Sequence, residues 1–299
     1  MVVRLSEEVC YSTSLLNSGR EVTTFQECEH NPLLWHSGIP VVFPQFGQPM
    51  KDMPQHGFAR TSSWQLESSL MEEKLVSATF SLIDNDVTFS LWPHRFKLEY
   101  TITLSSDQLK CSLRVKNIDT ASFNVHTLLH TYLKVSSILS IRVTGFKDSS
   151  YVDKLKNSCV FIDTREVASI DCEVDRVMTG SGSSLLPDTI LDFCGHGFDL
   201  QRVTLTVSAF LLNTETQATT PLPHDVVFWN PWIDKSIALL DLGDEDYKEF
   251  VCIEPGTTSD WVTVLPTDEL NLTQTLTSFC SSAPSSLSSW SSSLLIFPF

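Results

Sequence analysis

The sequence contains no long apolar run and comparatively few basic residues. No stretch approaches the roughly 18–20 apolar residues that a helix needs to cross a bilayer, and the N-terminal segment lacks the apolar core of a secretory signal. Lys and Arg number 20 against 36 Asp and Glu, which gives a formal net charge of −16. Because so acidic a surface repels phosphate backbones and anionic lipid, we expect neither nucleic acid nor a membrane as a partner.

Several sequence motifs are also absent. The eight cysteines are scattered and no two have the C-x-x-C spacing, which favours a reduced, cytoplasmic protein over a disulfide framework or a zinc site. The G-x-S-x-G, G-x-G-x-x-G and P-loop patterns do not occur. Their absence counts against the common hydrolase, dinucleotide and nucleotide sites.

What the sequence does contain is strand periodicity. Of the 299 residues, 42% are hydrophobic and 19% charged, enough to bury a sizeable core. Apolar residues alternate with polar ones over 76–82, 98–104 and 109–115, with short polar turns between, which predicts an antiparallel meander. Similar runs recur at 203–209 and 261–265. The sequence therefore predicts an all-β protein, a large antiparallel sandwich, with Asp241–Phe250 as its one helix candidate.

Both ends differ from the middle of the chain. Residues 281–299 contain nine serines and no charged residue, and the first thirty or so residues lack clean alternation. We expect the folded domain to span residues 23–279, with a distinct segment at 1–22 and a flexible serine-rich tail at 280–299.

The segment from Gly38 to Arg60 predicts a shaped loop. Its four prolines restrict the backbone, and its three glycines permit tight bends. The loop carries Gln55, His56 and Arg60, whose side chains either face a ligand or bond backbone carbonyls. The residues alone leave both interpretations open.

A second segment, Phe123–Lys134, contains two histidines. On a strand, His126 and His130 project from the same face. The H-x-x-x-H spacing would suit a metal on a helix, but the β-branched and aromatic residues favour a strand. We therefore expect no metal here, and a structural role for such histidines remains open.

Two further segments bring carboxylates beside apolar residues. Asp175 lies in a short acidic stretch next to an arginine, as either a ligand-binding side chain or a surface ion pair. Glu254 follows the apolar run 250–253 and precedes Pro255-Gly256. A carboxylate at the end of a buried strand, held by a Pro-Gly turn, suits a base of raised pKa, the alternative being an ordinary turn glutamate.

Seven segments, in order between about residues 38 and 276, together carry a family resemblance. They are GIPVVFPQFG (38–47), PQHGFAR (54–60), LWPHRF (91–96), LHTYL (129–133), EVDRV (173–177), VVFWNPW (226–232) and VCIEPG (251–256). The set resembles the glucose-6-phosphate 1-epimerase (hexose-6-phosphate mutarotase) family of the aldose 1-epimerase superfamily. The resemblance implies a galactose mutarotase-like β-supersandwich with a sugar-phosphate cleft on a concave face.

The same resemblance implies a reaction and its catalytic residues. His130 would be the general acid that protonates the pyranose ring oxygen, and Glu254 the general base that takes the proton of the anomeric hydroxyl. Ring opening, rotation about C1–C2 and reclosure then interconvert the α and β anomers of hexose 6-phosphates, chiefly glucose 6-phosphate. This chemistry needs two proton-transfer groups and no cofactor.

The resemblance also implies the substrate-binding residues. His56 and Asp175 match hydroxyl-binding positions, and Arg60 matches a phosphate-binding arginine with Gln55 beside it. The expected partner is a hexose 6-phosphate, and we expect a monomer.

One departure from the family pattern concerns the phosphate. Where the family reads R-G-G-I-P, this chain has His36-Ser37 before Gly38, so one phosphate-binding arginine is missing. Two alternatives therefore remain. One is a non-catalytic carbohydrate- or sugar-phosphate-binding protein, and the other a mutarotase of unphosphorylated aldoses.

Overall fold

The computed structural model describes residues 38–179, 188–194, 200–240 and 242–280, together with the backbone of three short strands nearer the N-terminus. Among the residues described, no helix has the length and apolar character that crossing a bilayer requires. The predicted serine-rich tail, apart from Cys280, and the His36-Ser37 pair lie outside the described residues.

Strands dominate the described chain. In the first half these are β1 (Val2–Arg4), β2 (Cys10–Ser14), β3 (Val22–Phe25), β4 (Val41–Val42), β5 (Gln65–Glu72), β6 (Leu75–Ile83), β7 (Phe96–Leu104), β8 (Gln108–Asn117), β9 (Phe123–Leu129) and β10 (Tyr132–Lys134). In the second half these are β11 (Arg142–Thr144), β12 (Ser150–Asp153), β13 (Cys159–Ile162), β14 (Val174–Thr179), β15 (Thr189–Cys194), β16 (Leu200–Asn213), β17 (Thr219–Pro221), β18 (Asp225–Asn230), β19 (Phe250–Val264) and β20 (Asp268–Cys280).

Most strands belong to two large sheets. Within the described residues, one sheet has nine strands in the order β11-β15-β16-β20-β8-β7-β6-β5, with β17 paired to β16. The other has eight strands in the order β13-β12-β14-β18-β19-β9-β4, with β10 paired to β19. Strands β1, β2 and β3 form a small sheet of their own. The pairings between these strands are antiparallel, and the predicted antiparallel sandwich is confirmed.

The main core lies between the two large sheets. Phe80, Tyr100, Leu113 and Leu272 lie opposite one another on successive strands of the nine-stranded sheet, and all are buried. They belong to the same apolar cluster as residues of the eight-stranded sheet such as Phe228. The alternating runs therefore turn their apolar side chains toward the opposite sheet, and burying each one contributes roughly 1.5–3 kcal/mol.

A second apolar cluster covers the other face of the eight-stranded sheet. Its members come mostly from the central strands of this sheet. They are Val42, Leu128, Tyr132, Val177, Val227, Trp229, Leu242, Phe250 and Cys252. We call this the site face, because it also carries the candidate functional residues.

The helical prediction was wrong in position. Helix α1 (Asp86–Leu91) begins after Asn85, whose side chain caps it in a capping box, and helix α2 (Trp232–Ala238) follows Pro231. Within the described part of Asp241–Phe250, only Asp246–Lys248 forms a single 3-10 turn. Helices of six and seven residues are too short to show helical periodicity in the sequence.

Candidate active site

The register of four strands determines which side chains share the site face. Asp175 of β14 lies opposite Trp229 of β18. Trp229 lies opposite Cys252 of β19, which pairs on its other side with Tyr132 of β10. Because partners directly opposite each other point to the same face, these four side chains form one row across the sheet.

Glu254 lies in the next row. It is two residues beyond Cys252 on β19, so it points to the same face, and its neighbour on β18 is Val227. On the other side of β19, strand β9 ends at Leu129 and β10 begins at Tyr132. His130 occupies the break between them, where its N–H donates to the Pro40 carbonyl at 2.9 Å.

The two proton-transfer candidates meet on this face. His130 Nε2 lies 3.4 Å from Glu254 Oε2. Both residues are buried, with His130 8% exposed and Glu254 1% exposed. Two titratable groups at this distance can each reach one oxygen of a bound molecule.

The predicted Pro-Gly turn after Glu254 is wrong. Strand β19 continues through Pro255 and Gly256 to Val264. The glycine is required there for a different reason, since a β-carbon on Gly256 would lie 2.5 Å from the Thr127 carbonyl oxygen. The absence of a side chain lets β9 approach β19 closely, next to the position of Glu254.

Burial dominates the electrostatics of Glu254. Removal from water raises the pKa of this carboxyl well above its usual value. The positive charge of Lys154 lowers the pKa and the negative charge of Asp175 raises it further. The carboxylate is therefore a stronger base than an exposed glutamate.

Aromatic rings enclose His130. Tyr132 stacks parallel to the imidazole at a centroid distance of 4.9 Å, and Trp229 meets it edge-on at 5.8 Å. The ring of His56 also meets it edge-on at 5.8 Å. The imidazole orientation is thereby fixed from three sides.

The loop predicted from Gly38 to Arg60 folds over this end of the sheet. A β-carbon on Gly57 would lie 2.0 Å from the Phe43 carbonyl oxygen, and its φ of +77° also requires glycine. The buried side chain of Gln45 donates to the Pro54 carbonyl and accepts from the Met50 N–H. These contacts give the loop a defined shape and leave Gln45 with a structural role.

His56 and Gln55 lie at the tip of this loop. His56 has a left-handed φ of 66°, and its Nδ1 accepts a hydrogen bond from the Gly47 N–H at 3.2 Å. The other ring nitrogen, Nε2, lies 3.4 Å from the side-chain amide nitrogen of exposed Gln55. The loop thus brings His56 against His130, while Gln55 remains on the solvent side.

Arg60 lies on a 3-10 turn, Ala59–Thr61, directly after the loop. Its Nη2 donates a hydrogen bond to the Gln55 backbone carbonyl at 3.0 Å. Bonding to a backbone carbonyl was one of the two interpretations that the sequence left open for this side chain. The guanidinium is partly exposed and lies beside the residue that precedes His56. It is a cation at the edge of the loop.

Asp175 is held between two lysines that sequence analysis missed. Lys154 Nζ lies 3.4 Å from its Oδ1 and Lys235 Nζ lies 3.8 Å from its Oδ2. Each lysine directly follows an aspartate in the sequence, but no periodicity or motif marks either of them. Only the pairing of distant segments shows that they face Asp175.

His126 shares the site face with His130, as the strand prediction requires. Its Nδ1 accepts a hydrogen bond from the Phe46 N–H at 3.4 Å. It contributes no donor to the one group of three metal-ligating side chains found in the described part of the chain, which is His130, Cys252 and Glu254. Their donor atoms lie within 4.8 Å of one another, and His130 and Glu254 are also the two proton-transfer candidates.

The fold and the buried His130–Glu254 contact define a class of β-sandwich proteins with a polar site on one sheet face. A family model described as "Aldose 1-epimerase" matches residues 35–277. The chain therefore belongs to the aldose 1-epimerase family, whose members are isomerases acting on carbohydrates.

Relatives of known name agree with this membership. A protein of Cenchrus ciliaris named "Putative glucose-6-phosphate 1-epimerase" is 30% identical over 262 residues, covering 84% of this chain and 73% of the relative. A protein of Escherichia coli K12 with the same name is 27% identical, covering 82% of this chain and 75% of the relative.

Solved structures share the fold. A protein of Salmonella typhimurium described as "a putative mutarotase (YeaD)" aligns with a TM-score of 0.67 at 22% identity, covering 93% of this chain and 79% of that one. A "galactose mutarotase related enzyme" of Lactobacillus acidophilus aligns with a TM-score of 0.63 at 16% identity, covering 96% and 99%. The predicted galactose mutarotase-like fold is confirmed.

Proposed function

We propose that this protein interconverts the α and β anomers of hexose 6-phosphates, chiefly glucose 6-phosphate. The observation that carries the proposal is the buried contact of His130 Nε2 with Glu254 Oε2 at 3.4 Å. The ring oxygen and the anomeric hydroxyl of a pyranose are bonded to the same carbon. An acid and a base that serve both must therefore lie close together.

The proton transfers follow from this geometry. Glu254 removes the proton of the anomeric hydroxyl while protonated His130 donates a proton to the ring oxygen, and the bond from C1 to the ring oxygen breaks. The open-chain aldehyde turns about C1–C2, and the two transfers run in reverse to close the ring as the other anomer. The raised pKa of Glu254 supports its role, since a general base is most effective when its pKa lies near the working pH.

Two observations support a phosphorylated substrate. The relatives from Cenchrus ciliaris and Escherichia coli are named as glucose-6-phosphate 1-epimerases. In a chain of net charge −16, a phosphate dianion needs a local cation, and Arg60 provides one beside the loop that carries His56. In this assignment Arg60 binds phosphate with Gln55 beside it, while His56 and Asp175 bind sugar hydroxyls.

Magnetisation-transfer NMR tests the proposal, with glucose 6-phosphate and glucose measured in parallel at anomeric equilibrium. We expect the protein to accelerate exchange of the phosphate. Arg60→Ala should raise the KM for glucose 6-phosphate by about ten- to a hundredfold, as for one bond to a charged group, and leave that for glucose unchanged. Arg95→Ala is the matched control, because Arg95 is 62% exposed and pairs with Asp84.

The other outcomes discriminate between the alternatives. Acceleration of both sugars, with no effect of Arg60→Ala, would replace this proposal by a mutarotase of unphosphorylated aldoses. No acceleration of either sugar by folded protein would overturn the epimerase and leave the non-catalytic binding protein.

A further inference from the structure

We infer that Lys154 is a positioning residue of this site, whose ammonium group holds the Asp175 carboxylate in place for a sugar hydroxyl. The inference rests on the proposed function, which assigns hydroxyl binding to Asp175. It adds a residue that no sequence motif marked.

The contacts of Lys154 show that its side chain reaches the site. Its Nζ lies 3.4 Å from Asp175 Oδ1 and 4.0 Å from the centroid of the Phe46 ring. Phe46 in turn contacts the ring of His56, at a centroid distance of 5.3 Å. The ammonium group thus bridges the covering loop and the floor of the site.

The backbone around Lys154 explains its direction. It begins a 3-10 turn directly after β12, and the buried side chain of Asp153 caps that turn by accepting the Leu155 N–H at 3.1 Å. Asp153 also lies 3.5 Å from Arg176 Nε. Because the turn is anchored below Lys154, its side chain is aimed at the sheet face instead of extending into solvent.

Lys154 also affects the electrostatics of Glu254. The two carboxylates Asp175 and Glu254 repel each other, and the charge of Lys154 opposes that repulsion at Glu254. The other groups around them are Lys235 and Glu173 beside Asp175, and His130 and Cys252 beside Glu254. Lys154 is the group among these that contacts both Asp175 and the covering loop.

A matched control lies two residues away. Lys156 belongs to the same 3-10 turn and carries the same charge, but it is 61% exposed and its Nζ lies 4.0 Å from Asp153 and 5.2 Å from the Phe161 ring. Lys154→Met and Lys156→Met therefore remove the same charge from the same turn. Only the first removes the contact with Asp175.

The experiment is a double-mutant cycle read out as the dissociation constant of glucose 6-phosphate, measured by NMR titration of the intact protein. Lys154→Met should weaken binding by about tenfold, Lys154→Arg should restore most of it, and Lys156→Met should have no effect. Lys154→Met combined with Asp175→Asn should bind as weakly as Asp175→Asn alone, because the two residues act through one contact.

Each result separates this inference from the proposed function. Fully additive losses in the double variant, or equal losses for Lys154→Met and Lys156→Met, would overturn the positioning role even if anomer exchange is fast. The expected cycle in a protein that accelerates no exchange would support Lys154 and overturn the epimerase. Unfolding free energies of the variants, measured with urea, distinguish weakened binding from lost folding.

Discussion

The imidazole of His126 lies flat against the indole of Trp261, with ring centroids 3.8 Å apart and 13° between the ring planes. His126 is 7% exposed, whereas Trp261 is 41% exposed and covers it from the solvent side. Burial lowers the pKa of His126 to about 4, although the charges of Asp225 and Asp260 act in the opposite direction. The histidine at this end of the site face is therefore neutral at physiological pH.

Removing the indole of Trp261 should return the pKa of His126 to the ordinary value of a histidine. In Trp261→Ala we expect its pKa to rise from about 4 toward 6.5, because water reaches the imidazole and the protonated form is solvated. Trp261→Phe retains an aromatic cover and should keep the pKa low. A proton NMR titration of the His126 ring measures both, and an unchanged value in the alanine variant would disprove burial by Trp261 as the cause.

The same shift makes stability depend on pH. The pKa of His126 is lower in the folded state than in the unfolded state. The contribution of neutral His126 to the free energy of unfolding is therefore fully present above pH 6.5 and is lost as the pH falls toward 4. Between pH 6.5 and about 4, at about 1.36 kcal/mol per pH unit, the loss of unfolding free energy amounts to about 3 kcal/mol. We expect His126→Gln to lose less stability than the wild type over this range in urea unfolding at a series of pH values. Parallel curves for the two proteins would contradict this.

Glu254→Gln should separate catalysis from stability. Neutralising the proposed base should slow anomer exchange by about a hundredfold or more. The folded-state pKa of Glu254 is raised, so its ionised form costs stability at neutral pH, and the variant should unfold with a free energy about 1–3 kcal/mol higher at pH 7. The wild type should regain this difference as pH falls and its carboxyl is protonated.

The matched control for that variant is Glu249→Gln. Glu249 is 56% exposed and lies 3.9 Å from Lys134, so we expect its unfolding free energy to change by less than about 0.5 kcal/mol and its exchange rate to stay the same. Exchange NMR and urea unfolding check both variants. Retained exchange in Glu254→Gln would exclude this carboxylate as the base.

Gly256→Ala should damage the site through the backbone. The added methyl group would lie 2.5 Å from the Thr127 carbonyl oxygen and 2.7 Å from the Leu128 Cβ, so β9 must move away from β19. We expect a cost of about 1–3 kcal/mol in unfolding free energy. Exchange should also slow by about a hundredfold, since a shift near 1 Å misplaces catalytic groups.

Gly243→Ala provides the comparison for that change. The nearest atoms to its added methyl group belong to the side chain of Asp246, which can rotate away. Its exchange rate should match that of the wild type. Equal effects of the two alanine variants on exchange would show that the close approach at Gly256 is unimportant.

Much of the fold was predictable because side-chain burial on a sheet repeats every second residue. The alternating runs at 76–82, 98–104 and 109–115 correspond to β6, β7 and β8 in one antiparallel meander. The residues around Pro255 were misinterpreted, because a Pro-Gly pair usually marks a turn. Here Gly256 is needed for close approach between strands, which no local pattern can indicate.

The site was predictable only in part. His130, Glu254 and Asp175 were expected from family resemblance, and the register brings their segments to one face. Lys154 was not expected, because its relation to Asp175 depends on the pairing of β12 with β14. Contacts of this kind arise from sheet order, and the order of strands is not encoded in any single segment.

The contact between β9 and β19 also has a consequence for how activity emerges as the chain folds. Thr127 of β9 and Thr257 of β19 are 130 residues apart in sequence, and their hydroxyl oxygens lie 3.1 Å apart. His130 directly follows β9, and Glu254 lies on β19. A partly formed sheet can bury apolar side chains without making this long-range contact, whose formation requires closure of a long loop. The recovery of anomer exchange during refolding would then report when β9 and β19 have paired. A nascent chain would stay inactive until β19 has been synthesised.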